Sequence, residues 1–173
     1  GGGENGRFLE DGSKTEYETK TMDKKIIKLT EKEKPNYLFI AHAMCFSDEV
    51  QESYYETMKK IYDDKYGCKC KFLKAKDLYN TNLVKKMVEW ADIIYEGGGD
   101  TAAMINLWKE TGFDTILKYA WQNGKVISGI SAGAVCWFNS CNSDIDASHF
   151  EIIDCLNWFD VFIVPHCDED GRY

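Results

Sequence analysis

Proline is scarce in this chain, two in 173 residues, so no Pro-rich linker divides it. Low-complexity segments and internal repeats are absent too. No apolar run approaches the roughly 20 residues of a membrane span, and no secretory signal opens the chain. There is no basic stretch: 21 lysines and arginines face 29 acids, a formal charge of −8 and a pI near 4.9. That balance argues against nucleic acid or an anionic membrane as the main partner. No CxxC pair occurs among the seven cysteines, whose odd count fits no disulfide framework. Reduced thiols and a cytoplasmic location are the expectation. What is present is an ordinary globular composition, 44% hydrophobic and 14% aromatic, with enough chain for one domain and a substantial core.

The expected unit is a single α/β domain over residues 1–173. Gly1-Gly2-Gly3-Glu4-Asn5-Gly6 is a glycine-rich loop with no strand before it, and Asp170-Gly171-Arg172-Tyr173 follows an apolar run closely. A strand ahead of Gly1 and a further portion after Tyr173 are therefore expected.

Between the ends, strand-like and helix-like segments alternate. Tyr37 to Ala43 is a short apolar run that predicts a buried strand. Val50, Tyr54, Met58 and Ile61 recur at helical steps, predicting a helix over Asp48 to Tyr66 stopped by Gly67. Lys69 to Ala75 alternates like a strand, and Leu83, Met87 and Ala91 form another helical stripe. Further strands are predicted at Asp92 to Tyr95, Lys125 to Ile130 and Phe159 to Val164. Helices are predicted at Thr101 to Thr111 and Phe113 to Gln122, each followed by glycine. The repeated order points to an α/β fold with a mostly parallel sheet, which binds ligands at the carboxyl ends of its strands.

Val126-Ile127-Ser128-Gly129-Ile130-Ser131-Ala132-Gly133-Ala134 combines a strand, G-x-S-x-G and the start of a helix. This is the nucleophile-elbow pattern, in which a sharp turn lifts the serine hydroxyl above the sheet. The helix start offers backbone N–H groups to a developing oxyanion. Tyr95-Glu96-Gly97-Gly98-Gly99-Asp100-Thr101 is a second glycine turn between strand and helix. It lacks the P-loop lysine and does not meet G-x-G-x-x-G, so a second oxyanion donor opposite the Ala132 N–H is its more economical use.

A serine nucleophile needs a base, and the chain has three histidines, His42, His149 and His166. His166 follows the strand Phe159 to Val164 through Pro165, at the same carboxyl edge as Ser131. His42 also ends a strand and is the rival, whereas His149 is expected in a solvated polar loop. An orienting carboxylate is also required. Asp144, Asp146 and Asp154 all lie between Ser131 and His166, and spacing does not choose among them.

The run GGGDT, then GISAGAVCWF, then NSD, then VPH resembles the dipeptidase E family of serine peptidases, which includes aspartyl dipeptidases and the related cyanophycinases. The resemblance extends from the opening GGGENG to PHCDE. It implies a flavodoxin-like, class I glutamine-amidotransferase-like three-layer α/β sandwich. It also implies a Ser-His-acid triad of Ser131, His166 and Asp144, with N–H groups of Gly98 or Gly99 and of Ala132 as the oxyanion hole. The implied activity is cofactor-free and metal-free hydrolysis of small peptides, above all dipeptides with N-terminal aspartate. Asp100 stands where the family commonly has asparagine, as in the cyanophycinase branch, and is a candidate substrate-binding residue. A preference for aspartate implies a cationic pocket, for which Arg172, Lys109 and Lys125 are the available cations.

Other features carry less chemistry. Cys45 has no glycine elbow, and Cys68-Lys69-Cys70 is too close for the usual zinc pairs. Asp168-Glu169-Asp170-Gly171 lacks the remaining spacing of a calcium loop. Trp90, Trp108, Trp121, Trp137 and Trp158 fit packing positions. Two rival functions use the same residues: a non-catalytic binder of a small anion, and an esterase or amidase with a non-peptide substrate.

Overall fold

The apolar run after Pro35 forms the central strand β1, Asn36–Ile40, in which Tyr37, Leu38, Phe39 and Ile40 are all fully buried. A strand covered on both faces reads as a continuous apolar run and not as an alternation. The computed structural model describes residues 9–13, 18–146 and 149–166, except the side chains of 144–149.

β1 pairs in parallel with β2, Lys69–Leu73, on one side and with β3, Ile93–Glu96, on the other. β4, Val126–Gly129, lies outside β3, giving the order β2-β1-β3-β4. The winding direction therefore reverses between β1 and β3. This is the flavodoxin-like order, whose ligand crevice opens at the carboxyl ends of the strands.

Helices cover both faces. On one, Tyr37 and Phe39 pack with α1, Lys20–Leu29, and α2, Asp48–Lys59, through Ile26, Ile27, Tyr54 and Met58. On the other, Leu38 and Ile40 meet α3, Thr81–Trp90, α4, Thr101–Thr111, and α5, Phe113–Gln122. The helix starts are encoded locally. Ser47, Asn80 and Asp100 each accept a hydrogen bond from the N–H three residues on, at 3.3, 3.1 and 2.8 Å.

The structure departs from the sequence expectations at several points. β1 ends at Ile40, and His42–Met44 is a short 3-10 turn. Helix α1, whose Ile26 and Ile27 pack on the sheet, has no counterpart among the sequence expectations. Phe159–Ile163 is a strand, β7, but it lies outside the main sheet. It belongs to a second sheet of order β6-β5-β7, pairing in parallel with β5, Phe138–Asp146, which pairs antiparallel with β6, His149–Asp154. His149 thus begins a strand and does not lie in a loop. Asn, Ser and Asp are poor strand formers, which is why FNSCNSDID gave no strand signal.

The second sheet is held to the helices by the aromatics. Trp121 stacks on Trp158 with centroids 5.4 Å apart, and Trp137 lies 5.7 Å from Trp108. The segment after β7 returns to the turn that follows β4, at Ser131.

Candidate active site

Ser131 sits between β4 and the short helix α6, Ala132–Val135, with φ +52° and ψ −118°. A non-glycine residue there is strained by about 1–3 kcal/mol and persists only where its surroundings enforce it. Here they do. The Ile130 N–H donates to Glu96 O at 3.1 Å, and the Gly133 N–H reaches Gly97 O at 3.1 Å. The turn is thereby tied to the end of β3 on both sides of the serine.

The flanking glycines are required by close packing and not by backbone angle. Neither Gly129 nor Gly133 takes a positive φ; Ser131 does. A Cβ on Gly129 would stand 2.3 Å from Gly133 O, and one on Gly133 would stand 2.3 Å from Glu96 O. They are glycines because three backbone segments touch there.

The same holds along the glycine strap after β3. A Cβ on Gly97 would meet the Tyr54 ring at 2.6 Å, and one on Gly98 would meet Ser131 Cβ at 3.1 Å. Gly99 has φ +146°, and its Cβ would fall 2.4 Å from Ala43 O. The strap therefore lies directly against the serine turn. Its N–H groups are mostly engaged: Gly97 to Ile40 O at 2.9 Å, Gly98 to Tyr54 Oη at 3.2 Å, and Asp100 to Ala43 O at 2.9 Å. Among the described residues the Gly99 N–H has no acceptor. Of the two strap glycines offered as oxyanion donors, Gly99 is the one with a hydrogen to give. Ala132 contributes the first N–H of α6, a position that has no intrahelical acceptor.

His166 Nε2 lies 2.9 Å from Ser131 Oγ. His166 is half-buried and has φ +58°, so both members of this pair occupy positive-φ positions. Asp144 pairs with Phe150 in the β5–β6 ladder, just before a register slip at Asp146. The side chains of Asp144 and Asp146 lie outside the described atoms. Asp154 ends β6 opposite Ser140.

A family model for Peptidase family S51 matches residues 9–172. This chain belongs to peptidase family S51. It is 32% identical over 157 residues to the uncharacterized peptidase YgaJ of Bacillus subtilis (strain 168), covering 91% of this chain and 65% of YgaJ. The chain thus spans just under two thirds of that relative's length. Its fold is similar to the crystal structure of a peptidase from an acI-B1 Actinobacterium, with TM-score 0.64 and 22% identity, over 87% of this chain and 63% of that one. A peptidase E protein from Listeria monocytogenes EGD-e gives TM-score 0.56 and 23% identity, over 78% and 70% of the two chains.

In this S51 chain the rival base, His42, lies in the core. His42 is fully buried; its Nε2 donates to Leu73 O at 2.9 Å, and its Nδ1 accepts from Trp108 Nε1 at 2.9 Å. With both nitrogens engaged, and burial pulling its pKa down to about 4, it is a neutral core residue. Burial first, and then Asp100, push the Cys45 thiol up, the wrong direction for a nucleophile. Burial also raises Cys68 to about 11 and Cys70 to about 12.

Asp100 is exposed and caps α4 through Ala103 N. Lys109 lies in the last turn of α4, the end away from the strap. Lys125 precedes β4 and donates to Glu89 O at 2.8 Å, at the opposite end of the sheet from Ser131. Arg172 and Asp168 to Gly171 lie outside the described residues.

Two residues at the site were not singled out from sequence. Tyr54 was read only as part of the apolar stripe of α2. Glu96, the last residue of β3, is fully buried; its Oε1 accepts from Ala43 N at 3.1 Å, and among the described residues its Oε2 has no hydrogen-bond partner. Burial raises its pKa well above the usual carboxyl value, so it is held neutral. An acid ending an apolar strand just before three glycines was the available signal.

Proposed function

We propose that this chain carries the catalytic site of a serine peptidase that hydrolyses small peptides through an acyl-enzyme on Ser131. The observation that supports the reading is the 2.9 Å approach of Ser131 Oγ to His166 Nε2 at a positive-φ turn. A serine placed there has little packing to contribute, and its neighbour is a base within hydrogen-bond reach.

In this mechanism His166 starts neutral, with its proton on Nδ1 and Asp144 as its orienting acid. Ser131 Oγ attacks the scissile carbonyl carbon as its proton passes to His166 Nε2. The tetrahedral oxyanion is met by the N–H groups of Gly99 and Ala132. The intermediate collapses, the C–N bond breaks, and His166 returns the proton to the leaving amine. Water, deprotonated by the same imidazole, then cleaves the ester and restores the serine.

The proposed substrates are dipeptides with an N-terminal aspartate, on the strength of the GGGDT, GISAGAVCWF and VPH resemblance. Asp100 and Arg172 are the proposed substrate-binding residues, Asp100 through the carboxylate oxygen that does not cap α4.

The test is labelling with a fluorophosphonate followed by a dipeptide and simple-ester panel. Labelling at Ser131, with cleavage of aspartyl dipeptides above other dipeptides and esters, is the expected result. Neither labelling nor cleavage would leave a small-anion binder on the same scaffold. Ester cleavage alone would make it an esterase.

A further inference from the structure

The Gly97–Gly98 peptide unit is held at both ends. Its carbonyl, Gly97 O, accepts from Gly133 N at 3.1 Å, and its N–H, on Gly98, donates to Tyr54 Oη at 3.2 Å. One clamp comes from the helix that follows Ser131, and the other from helix α2 across the sheet edge. Glycine accepts φ of either sign, so a peptide between two glycines is unusually free to flip. A flip here would swing the Gly97 carbonyl toward the position now used by the N–H, and the Tyr54 bond also anchors Gly98, whose ψ sets the peptide that follows. The next N–H is that of Gly99, which has no acceptor among the described residues.

Tyr54 is itself fixed. Its ring meets Phe39 edge-on with centroids 5.1 Å apart, and it fills the space a Cβ on Gly97 would need, 2.6 Å away. Burial raises its pKa, against the lowering effect of the Gly98 N–H, so the phenol remains neutral. A neutral hydroxyl accepts the Gly98 N–H as a dipole and brings no charge next to a forming oxyanion.

We propose that Tyr54 is a positioning residue for the oxyanion site: by accepting the Gly98 N–H it fixes the Gly97–Gly98 peptide and so aims the Gly99 N–H at the oxyanion formed on Ser131. This rests on the serine-peptidase reading above. Tyr54 acts through the strap, by its bond to the Gly98 N–H.

The experiment compares the wild-type chain with Tyr54→Phe, which keeps the ring packing and loses the acceptor. Three quantities are read: the rate of fluorophosphonate labelling at Ser131, kcat and KM on the best dipeptide, and affinity for the matching peptide aldehyde. An aldehyde adduct places an oxyanion in the site, whereas the product peptide does not. The expected result is labelling and kcat slower by about 10- to 100-fold, below the full effect of deleting a donor. KM and product affinity stay within about twofold, aldehyde affinity falls with kcat/KM, and Tm is unchanged.

A structural role alone would lower Tm and leave the labelling rate of the folded fraction intact. If Tyr54→Phe loses stability, Gly97→Ala supplies the second arm, because its Cβ displaces the ring and the hydroxyl with it. Wild type that labels while both variants label equally fast would overturn the proposal and leave the peptidase reading standing. Wild type that does not label would overturn the peptidase reading itself.

Discussion

The carbonyl oxygen of Glu96 lies 2.3 Å from where a Cβ on Gly133 would stand, with Glu96 Cβ at 2.8 Å. Strand β3 and the helix after Ser131 therefore touch through bare backbone, and the obstructing atoms cannot rotate aside. Gly133→Ala is expected to cost about 1–3 kcal/mol through forced backbone displacement. Because the Gly133 N–H also holds the strap at Gly97 O, labelling of Ser131 should slow as well. Urea unfolding and labelling rates check both; an unchanged midpoint would show that the turn relaxes freely.

Glu96 and His42 give opposite pH dependences. Glu96 is held neutral by burial, with a pKa raised well above 4.5. An unfolded chain releases that proton near 4.5, so unfolding above this pH expels a proton. Stability from this group is full below about 4.5 and declines as pH rises toward the folded value. Glu96→Gln keeps an acceptor for Ala43 N and has no proton to lose. The variant should gain on the wild type steadily from pH 5 to 8 in urea midpoint; parallel curves would mean that Glu96 is already ionised.

His42 works in the other direction, since burial pulls its pKa from 6.5 to about 4. Its contribution is full above 6.5 and is lost as pH falls toward 4, to a total of about 3 kcal/mol. NMR titration of the imidazole checks this directly. His42 is expected to stay neutral until about pH 4, and titration near 6.5 in the folded protein would contradict the buried Leu73–His42–Trp108 chain of hydrogen bonds.

The contact between Ser131 and His166 was legible because each lies in a short-range pattern: a strand, G-x-S-x-G and a helix for one, the end of an apolar run for the other. Helices α4 and α5 were legible to the residue, since glycines punctuate both. The second sheet was not. Residues 138–146 become a strand through pairing with β6 and β7 and through burial of Cys141, and no local propensity records that. Sequence spacing also placed His166 on the main sheet, whereas the parallel partner of β7 is β5. Tyr54 was hidden for a related reason: its stripe position explained its ring, and nothing local indicated that its hydroxyl would meet Gly98.

Asp144 is the proposed orienting acid, at the end of the β5–β6 ladder before the register slip. Asp144→Asn should retain the fold and lower kcat by about 10⁴, the magnitude known for the corresponding change in a serine-protease triad. KM should change little. An unaltered kcat would transfer the role to another acid, with Asp146 and Asp154 the next variants to assay.

The final prediction separates strain from chemistry at Ser131. Its φ of +52° with ψ −118° is unfavourable for any residue with a Cβ, so alanine inherits the strain and glycine does not. Ser131→Ala removes the hydroxyl and its contact with His166, and stability is expected to change by no more than about 1 kcal/mol. Ser131→Gly removes the same hydroxyl and releases the turn. Relief of about 1–3 kcal/mol is partly offset by about 0.4–1 kcal/mol from the freer unfolded chain, so the glycine variant should be the more stable by about 1 kcal/mol. Both should lose peptide hydrolysis by several orders of magnitude, retaining only what substrate binding and the oxyanion donors supply. Urea unfolding of the two variants with parallel dipeptide assays decides the matter. If alanine and glycine are equally stable, the turn is not strained by its serine. If either variant retains wild-type hydrolysis, Ser131 is not the nucleophile.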